Sequence, residues 1–101
     1  MKSSRRLDFT PDAEDDLRSI LEYTRMSWGA RQQDVYAEHI AAALQELNQF
    51  PDLGRPREEV SPGLRAYPVE QHVVYYRADD QMVTIVRILH RKMNASTRLE
   101  Q

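Results

Sequence analysis

Apolar residues recur every three or four positions between residues 10 and 49, then at every second position from residue 64 to 89. The first change of pattern comes early. Arg6-Leu7-Asp8-Phe9 alternates polar and apolar and reads as a short strand. Thr10-Pro11 stops it, because Thr suits an N-cap and Pro the first helical position. Asp12, Glu14, Asp15 and Asp16 follow where a helix dipole favours negative charge. Ala13, Leu17, Ile20, Leu21 and Thr24 then share one helical face, and Trp28-Gly29 ends the helix with a residue suited to a left-handed cap. A second helix is expected from about Arg31 to Gln49, with Val35, Ile40, Leu44 and Leu47 apolar and Ala37, Ala41 and Ala43 allowing close approach. So short a link between the two predicts an antiparallel hairpin.

Breakers fill Pro51-Asp52-Leu53-Gly54-Arg55-Pro56, and Ser61-Pro62-Gly63 forms a second turn. Leu64–Val69, His72–Arg77 and Met82–Leu89 then read as three strands, with Ala78-Asp79-Asp80-Gln81 turning between the last two. The expected class is α+β in the order β-α-α-β-β-β, a helical hairpin on one face of a mainly antiparallel sheet. One domain is expected over 1–101, with a core of about 5–93 and a polar tail at 94–101.

Strand parity carries a further expectation. Tyr75 and Tyr76 must face opposite sides of the sheet. Unbroken alternation puts Met82, Thr84, Val86 and Ile88 on one side and Val83, Ile85, Arg87 and Leu89 on the other. Both sides are mostly apolar, and a helix hairpin covers only one. The second face is expected to be covered by the tail, a second copy of the chain or a segment of a partner.

Charge refines this picture. The net charge is −2, but residues 1–50 hold six Lys/Arg and nine Asp/Glu (−3), and residues 51–101 hold eight and seven (+1). Wholesale nucleic-acid binding has no compositional support. With no Cys, disulfides and thiolate metal sites are excluded, and no two of the three His stand at helical metal spacing. Three separated glycines make no phosphate-cradling loop. The basic start, Met1-Lys2-Ser3-Ser4-Arg5-Arg6, leads into no apolar stretch, so neither a secretory leader nor a membrane span is expected, and the cytoplasm is the expected location.

Five phrases stand in order along the chain: Tyr23…Trp28-Gly29; Phe50-Pro51-Asp52-Leu53-Gly54-Arg55; Pro62-Gly63-Leu64-Arg65; Val74-Tyr75-Tyr76-Arg77; and Ile85-Val86-Arg87-Ile88-Leu89-His90-Arg91-Lys92-Met93. Over about residues 5–93 the chain resembles the RelE/ParE toxin superfamily, and its ParE-like members in particular. The resemblance implies a type II toxin that acts on DNA gyrase and is neutralised, in a hetero-oligomer, by a ParD-like antitoxin. It implies no metal or cofactor, and contact with DNA only through the antitoxin.

The alternative within the superfamily is a RelE-like, ribosome-dependent mRNA endoribonuclease. That chemistry needs a base for the 2′-hydroxyl, cations for the phosphate and an acid for the leaving oxygen. On a RelE-like frame Arg65 and Tyr67 lie on the first of the three strands, His72 stands where Arg is expected, and Arg91-Lys92 takes the late basic position. The late Tyr is missing, which favours the ParE-like reading. If the chain cleaves RNA, the candidates are His90, Arg65, Arg91, Lys92 and His72, with Arg87, Arg91 and Lys92 forming an anion site around His90. A histidine in a strand is more often a hydrogen-bonded structural residue, and His39 is expected at the surface. For target or antitoxin binding the candidates are Trp28, Tyr36, Arg65, Tyr76, Arg87, His90 and Arg91. Trp28 either pins the interhelix turn or belongs to a binding groove. Arg65, Arg77 and Arg87 either pair with Glu70, Asp79 or Asp80 or, for Arg65 and Arg87, meet acidic side chains of an antitoxin.

Overall fold

The computed structural model describes residues 5–99; Met1–Ser4, with most of the basic start, and Glu100 and Gln101 of the tail lie outside the described residues. Strand β1 (Arg6–Phe9) leads into helices α1 (Pro11–Trp28) and α2 (Ala30–Gln49). Strands β2 (Arg55–Pro56), β3 (Arg65–Val69), β4 (His72–Ala78) and β5 (Met82–His90) follow, and a short α3 (Ala95–Arg98) comes last. The sheet order is β1-β5-β4-β3-β2, with β1 parallel to β5 and the other pairs antiparallel. This is the expected α+β architecture, with two additions: the two-residue β2 and the terminal α3.

Helix α1 begins as its sequence requires. Thr10 Oγ1 accepts from Ala13 N at 3.0 Å and donates to the Val86 carbonyl at 2.8 Å, so one hydroxyl caps the helix and ties it to β5. Between the helices a single residue suffices. Gly29, at φ +98°, donates to the Arg25 carbonyl at 2.8 Å and accepts from Gln33 N at 3.1 Å. A side chain would be strained there.

The hairpin packs on one sheet face, where Ala13, Ile40, Leu44 and Leu47 meet Val74, Tyr76, Val83, Ile85 and Ile88. A second cluster on the other face joins Leu64, Ala66, Tyr75 and Leu89 to Ala95 and Leu99. The tail therefore covers part of the second face. Asn94 starts α3 by accepting from Ser96 N and Thr97 N, which turns Ala95 and Leu99 inward. Tyr75 and Tyr76 divide between the faces as parity requires.

Parity fails in β5, and the structure shows why. Tyr75 stands opposite Arg87 while Tyr76 stands opposite Ile85, which leaves Val86 as an extra residue in the ladder. A bulge of this kind reverses alternation beyond it. Val83, Ile85 and Ile88 consequently share the helix face, whereas Val86 and Leu89 share the other. The expected grouping of Val86 with Ile88, and of Ile85 with Leu89, is corrected here.

Candidate functional site

Between the end of the helix hairpin and the β3–β4 turn lies a groove of about 440 Å³. Tyr23, Trp28 and Tyr36 supply its aromatic surface, and His72, His90 and Glu70 its polar one. Tyr23 is 70% exposed, Trp28 73% and Met26 85%, all on the last turns of α1. Three large side chains thus face water on the last turns of α1, and two of them, Tyr23 and Trp28, line the groove. Trp28 does not pin the interhelix turn; Gly29 makes that turn and the indole projects outward.

The groove's inner wall is a chain of rings. His72 and His90 are directly paired across β4 and β5, with ring centroids 5.4 Å apart in an edge-on arrangement. Tyr36 of α2 sits edge-on to His72 at 5.6 Å, and its hydroxyl lies 2.6 Å from His72 Nδ1. The same hydroxyl accepts from Gln71 N at 3.2 Å and lies 3.3 Å from the Val69 carbonyl. Its one proton is best assigned to the shorter contact, which makes Nδ1 the acceptor and leaves the His72 proton on Nε2. Burial, reinforced by the neighbouring His90, lowers the His72 pKa from its ordinary value, so the neutral form this geometry needs is favoured. Burial likewise raises the Tyr36 pKa. His90 Nδ1 accepts from Lys92 N at 3.1 Å.

The outer rim carries strain. Glu70 opens the two-residue β3–β4 turn at φ +57°, a conformation uncommon for a residue with a side chain, and its carboxylate lies 2.9 Å from His39 Nδ1. His39 is at the surface, as expected.

The other candidates are scattered. Arg65 lies at the far end of β3, opposite Tyr76, where it donates to the Gly54 carbonyl at 2.6 Å and faces Asp52 at 3.6 Å. Arg87 is held by Asp16 of α1 through two hydrogen bonds, 2.7 and 2.9 Å. Arg91 lines a different groove, on the opposite sheet face, and Lys92 is exposed. The expected anion site of Arg87, Arg91 and Lys92 around His90 is therefore not assembled: Asp16 occupies Arg87, and alternation turns Arg91 from the face that His90 shares. Neither Arg65, Arg77 nor Arg87 pairs with Glu70, Asp79 or Asp80. Arg77 instead bonds Ser61 Oγ and the Pro62 carbonyl.

Tyr76, expected at a binding surface, is fully buried. Its hydroxyl donates to the Pro51 carbonyl at 2.7 Å and accepts from Gly54 N at 2.8 Å, which anchors the breaker loop to the core. Tyr23 and Glu70 line the groove in addition to the residues expected from sequence. Tyr23 could have been found, since it falls outside the apolar stripe of α1. Among the described residues, no group of three or more His, Asp or Glu is placed to hold a metal ion. No described helix is long and apolar enough to cross a membrane.

Comparison with known proteins places the chain in a family. The pattern of the family described as "ParE toxin of type II toxin-antitoxin system, parDE" matches residues 7–95. The chain belongs to the ParE toxin family. "Toxin ParE1" of Caulobacter vibrioides is 36% identical over 87 residues, 86% of this chain and 90% of that protein. "Toxin ParE" of Escherichia coli is 36% identical over 92 residues, 89% and 88% of the two chains. Among solved structures, "Chromosomal ParDE TA system from P. aeruginosa" superposes with a TM-score of 0.73 at 22% identity, covering 86% of this ParE-family chain and 96% of that one. At that identity the likeness speaks for the fold, which the toxin–antitoxin complex RelBE2 of Mycobacterium tuberculosis also shares, with a TM-score of 0.62 at 24% identity over 88% of this chain and 100% of that one.

Proposed function

We propose that this chain is a cytoplasmic, single-domain toxin that inhibits DNA gyrase and is neutralised by a ParD-like antitoxin docking in the Tyr23–Trp28–Tyr36 groove. The observation that carries the binding role is the exposed aromatic end of α1 beside a groove whose lining contains no Lys or Arg. Large aromatics that are solvent-exposed in the free chain serve well as interface anchors.

The same groove argues against ribonuclease chemistry. His72 and His90 could exchange protons, but the developing phosphate charge needs cations beside them. Arg65, Arg87 and Arg91 are engaged or directed elsewhere. Membership of the ParE family, whose relatives are named as toxins, supports the gyrase target and the antitoxin.

Purified protein would be added to a gyrase supercoiling assay and, in parallel, to an in vitro translation reaction read by primer extension. Blocked supercoiling with intact mRNA is the expected result. Cleavage of mRNA within the ribosome, with supercoiling unaffected, would overturn the proposal.

A further inference from the structure

The groove at the end of the helix hairpin has a sign as well as a shape. Glu70 is the one carboxylate of its lining, which holds no Lys or Arg. Arg25 and Arg31, near the same end of the hairpin, are exposed and lie outside the lining. Glu70, held at φ +57°, keeps its side chain half-exposed, and its Oε2 lies 2.9 Å from His39 Nδ1. Among the described residues its Oε1 makes no hydrogen bond or ion pair. The negative charge reaches the inner wall: burial raises the Tyr36 pKa most, and Glu70 adds to the rise. Burial meanwhile favours the neutral ring of His72, which therefore does not offset that charge. Tyr23 and Trp28 add two exposed rings, and among the described residues neither touches a cation. The face of such a ring is itself electrostatically negative.

We infer that this groove recognises a guanidinium group, carried by an arginine side chain of a docked partner. The inference rests on the reading of this groove as a docking site and names the side chain that the site selects. A guanidinium is planar, so it stacks on an indole or phenol face while its edge N–H groups donate to a carboxylate oxygen. Trp28 and Tyr23 offer the faces, and Glu70 Oε1 the acceptor. Gln32 and Gln71, also in the lining, carry side-chain carbonyls for further N–H groups.

Other occupants fit less well. An apolar side chain filling the groove would strip water from Glu70 without replacing its hydrogen bonds. A carboxylate or phosphate would meet Glu70 with no Lys or Arg in the lining to offset the repulsion. A lysine ammonium is a compact, strongly hydrated charge and cannot stack flat on a ring.

Trp28 is the one tryptophan of the chain, so its fluorescence reports on the groove directly. The full chain would be titrated with a short arginine peptide flanked by glycines, with the same peptide carrying citrulline, the neutral isostere of arginine, and with tetramethylammonium. The arginine peptide is expected to change the emission saturably and to bind at least roughly fivefold tighter than the citrulline peptide. Glu70→Gln should remove most of that preference, whereas the remote Arg6→Gln should keep it. Circular dichroism on each variant shows that it is folded. No saturable change with the arginine peptide, or equal binding of the two peptides, would overturn the inference. So would tighter binding of tetramethylammonium, which would assign the groove to a small cation, or an undiminished preference in folded Glu70→Gln. The docking reading fails separately. Antitoxin affinity lost in Tyr23→Ser and Trp28→Ser, without any arginine preference, keeps the docking and rejects the guanidinium. An arginine preference with antitoxin affinity unaltered in both variants does the reverse.

Discussion

Asp16 and Arg87 lie 71 residues apart and meet in a two-pronged ion pair, with both side chains largely out of water. The Asp16 carboxylate also accepts from Ile88 N at 3.0 Å. Where β1 ends, β5 loses its neighbour, and α1 takes over that edge with Thr10 and Asp16. The pairing holds Arg87 away from His90, and the hydrogen bonds that Arg87 donates to Asp16 raise its pKa.

Removing one partner should cost more than removing both. Asp16→Ala leaves the Arg87 guanidinium without its carboxylate, with only the Arg98 carbonyl as acceptor, and the Ile88 N–H without one, and is expected to cost about 3 kcal/mol. Asp16→Leu/Arg87→Met replaces the pair with apolar volume and should recover part of that loss. Urea unfolding of the wild type and both variants decides it; a double variant weaker than Asp16→Ala would show that the pair is net stabilising.

The Gly54–Tyr76 contact sets a second prediction. A Cβ at position 54 would stand 2.6 Å from Tyr76 Cε1 and 2.8 Å from Cζ, so Gly54→Ala must displace a buried ring, at about 1–3 kcal/mol. Tyr76→Phe should cost about 1–2 kcal/mol, because the Pro51 carbonyl and Gly54 N lose their shared partner. Thermal unfolding reads both, and a Gly54→Ala protein as stable as wild type would refute the close approach.

His72 gives a pH dependence whose sign can be worked out. Its folded pKa lies below the ordinary value of about 6.5, so between the two values the unfolded chain binds more protons. The contribution is fully present above about pH 6.5 and is lost as pH falls through the folded value. Below it, a protonated Nδ1 would compete with the Tyr36 hydroxyl, which would have to turn its proton toward the Val69 carbonyl. Replacing His72 by Gln should flatten the decline in urea midpoint between about pH 7 and pH 5. An unchanged decline would assign it to other groups.

The aromatic groove separates binding from folding. Tyr23→Ser and Trp28→Ser should each change stability by no more than about 0.5 kcal/mol, since both side chains already face water. Each should weaken binding of a ParD-like antitoxin by roughly tenfold or more. Isothermal titration calorimetry beside urea unfolding distinguishes the outcomes. Unaltered affinity in both variants would move the antitoxin away from this groove.

The helices and strands were legible because their causes are local. Thr10-Pro11 caps α1, Gly29 turns the chain, and the change from a period of about 3.6 to one of two marks the start of the sheet. Helix α3 left a faint signal in Asn94 followed by Ala95 and Leu99 at four-residue spacing, but a helix of four residues, Ala95–Arg98, is too short to show a period. Trp28 misled for another reason: an aromatic beside a glycine turn looks the same in sequence whether it packs inward or outward.

Sequence by itself determined the family, the order of the main elements and the split of Tyr75 and Tyr76 between two sheet faces. These depend on neighbouring residues and on the alternation built into a strand. Only the tertiary structure decided which cations remain available. The Val86 bulge exists relative to a partner strand, and it changes which side chains share a face. The Asp16–Arg87 pair forms because α1 and β5 are brought together from distant parts of the chain. Both effects arise from contacts across the sequence, which no local pattern of spacing encodes.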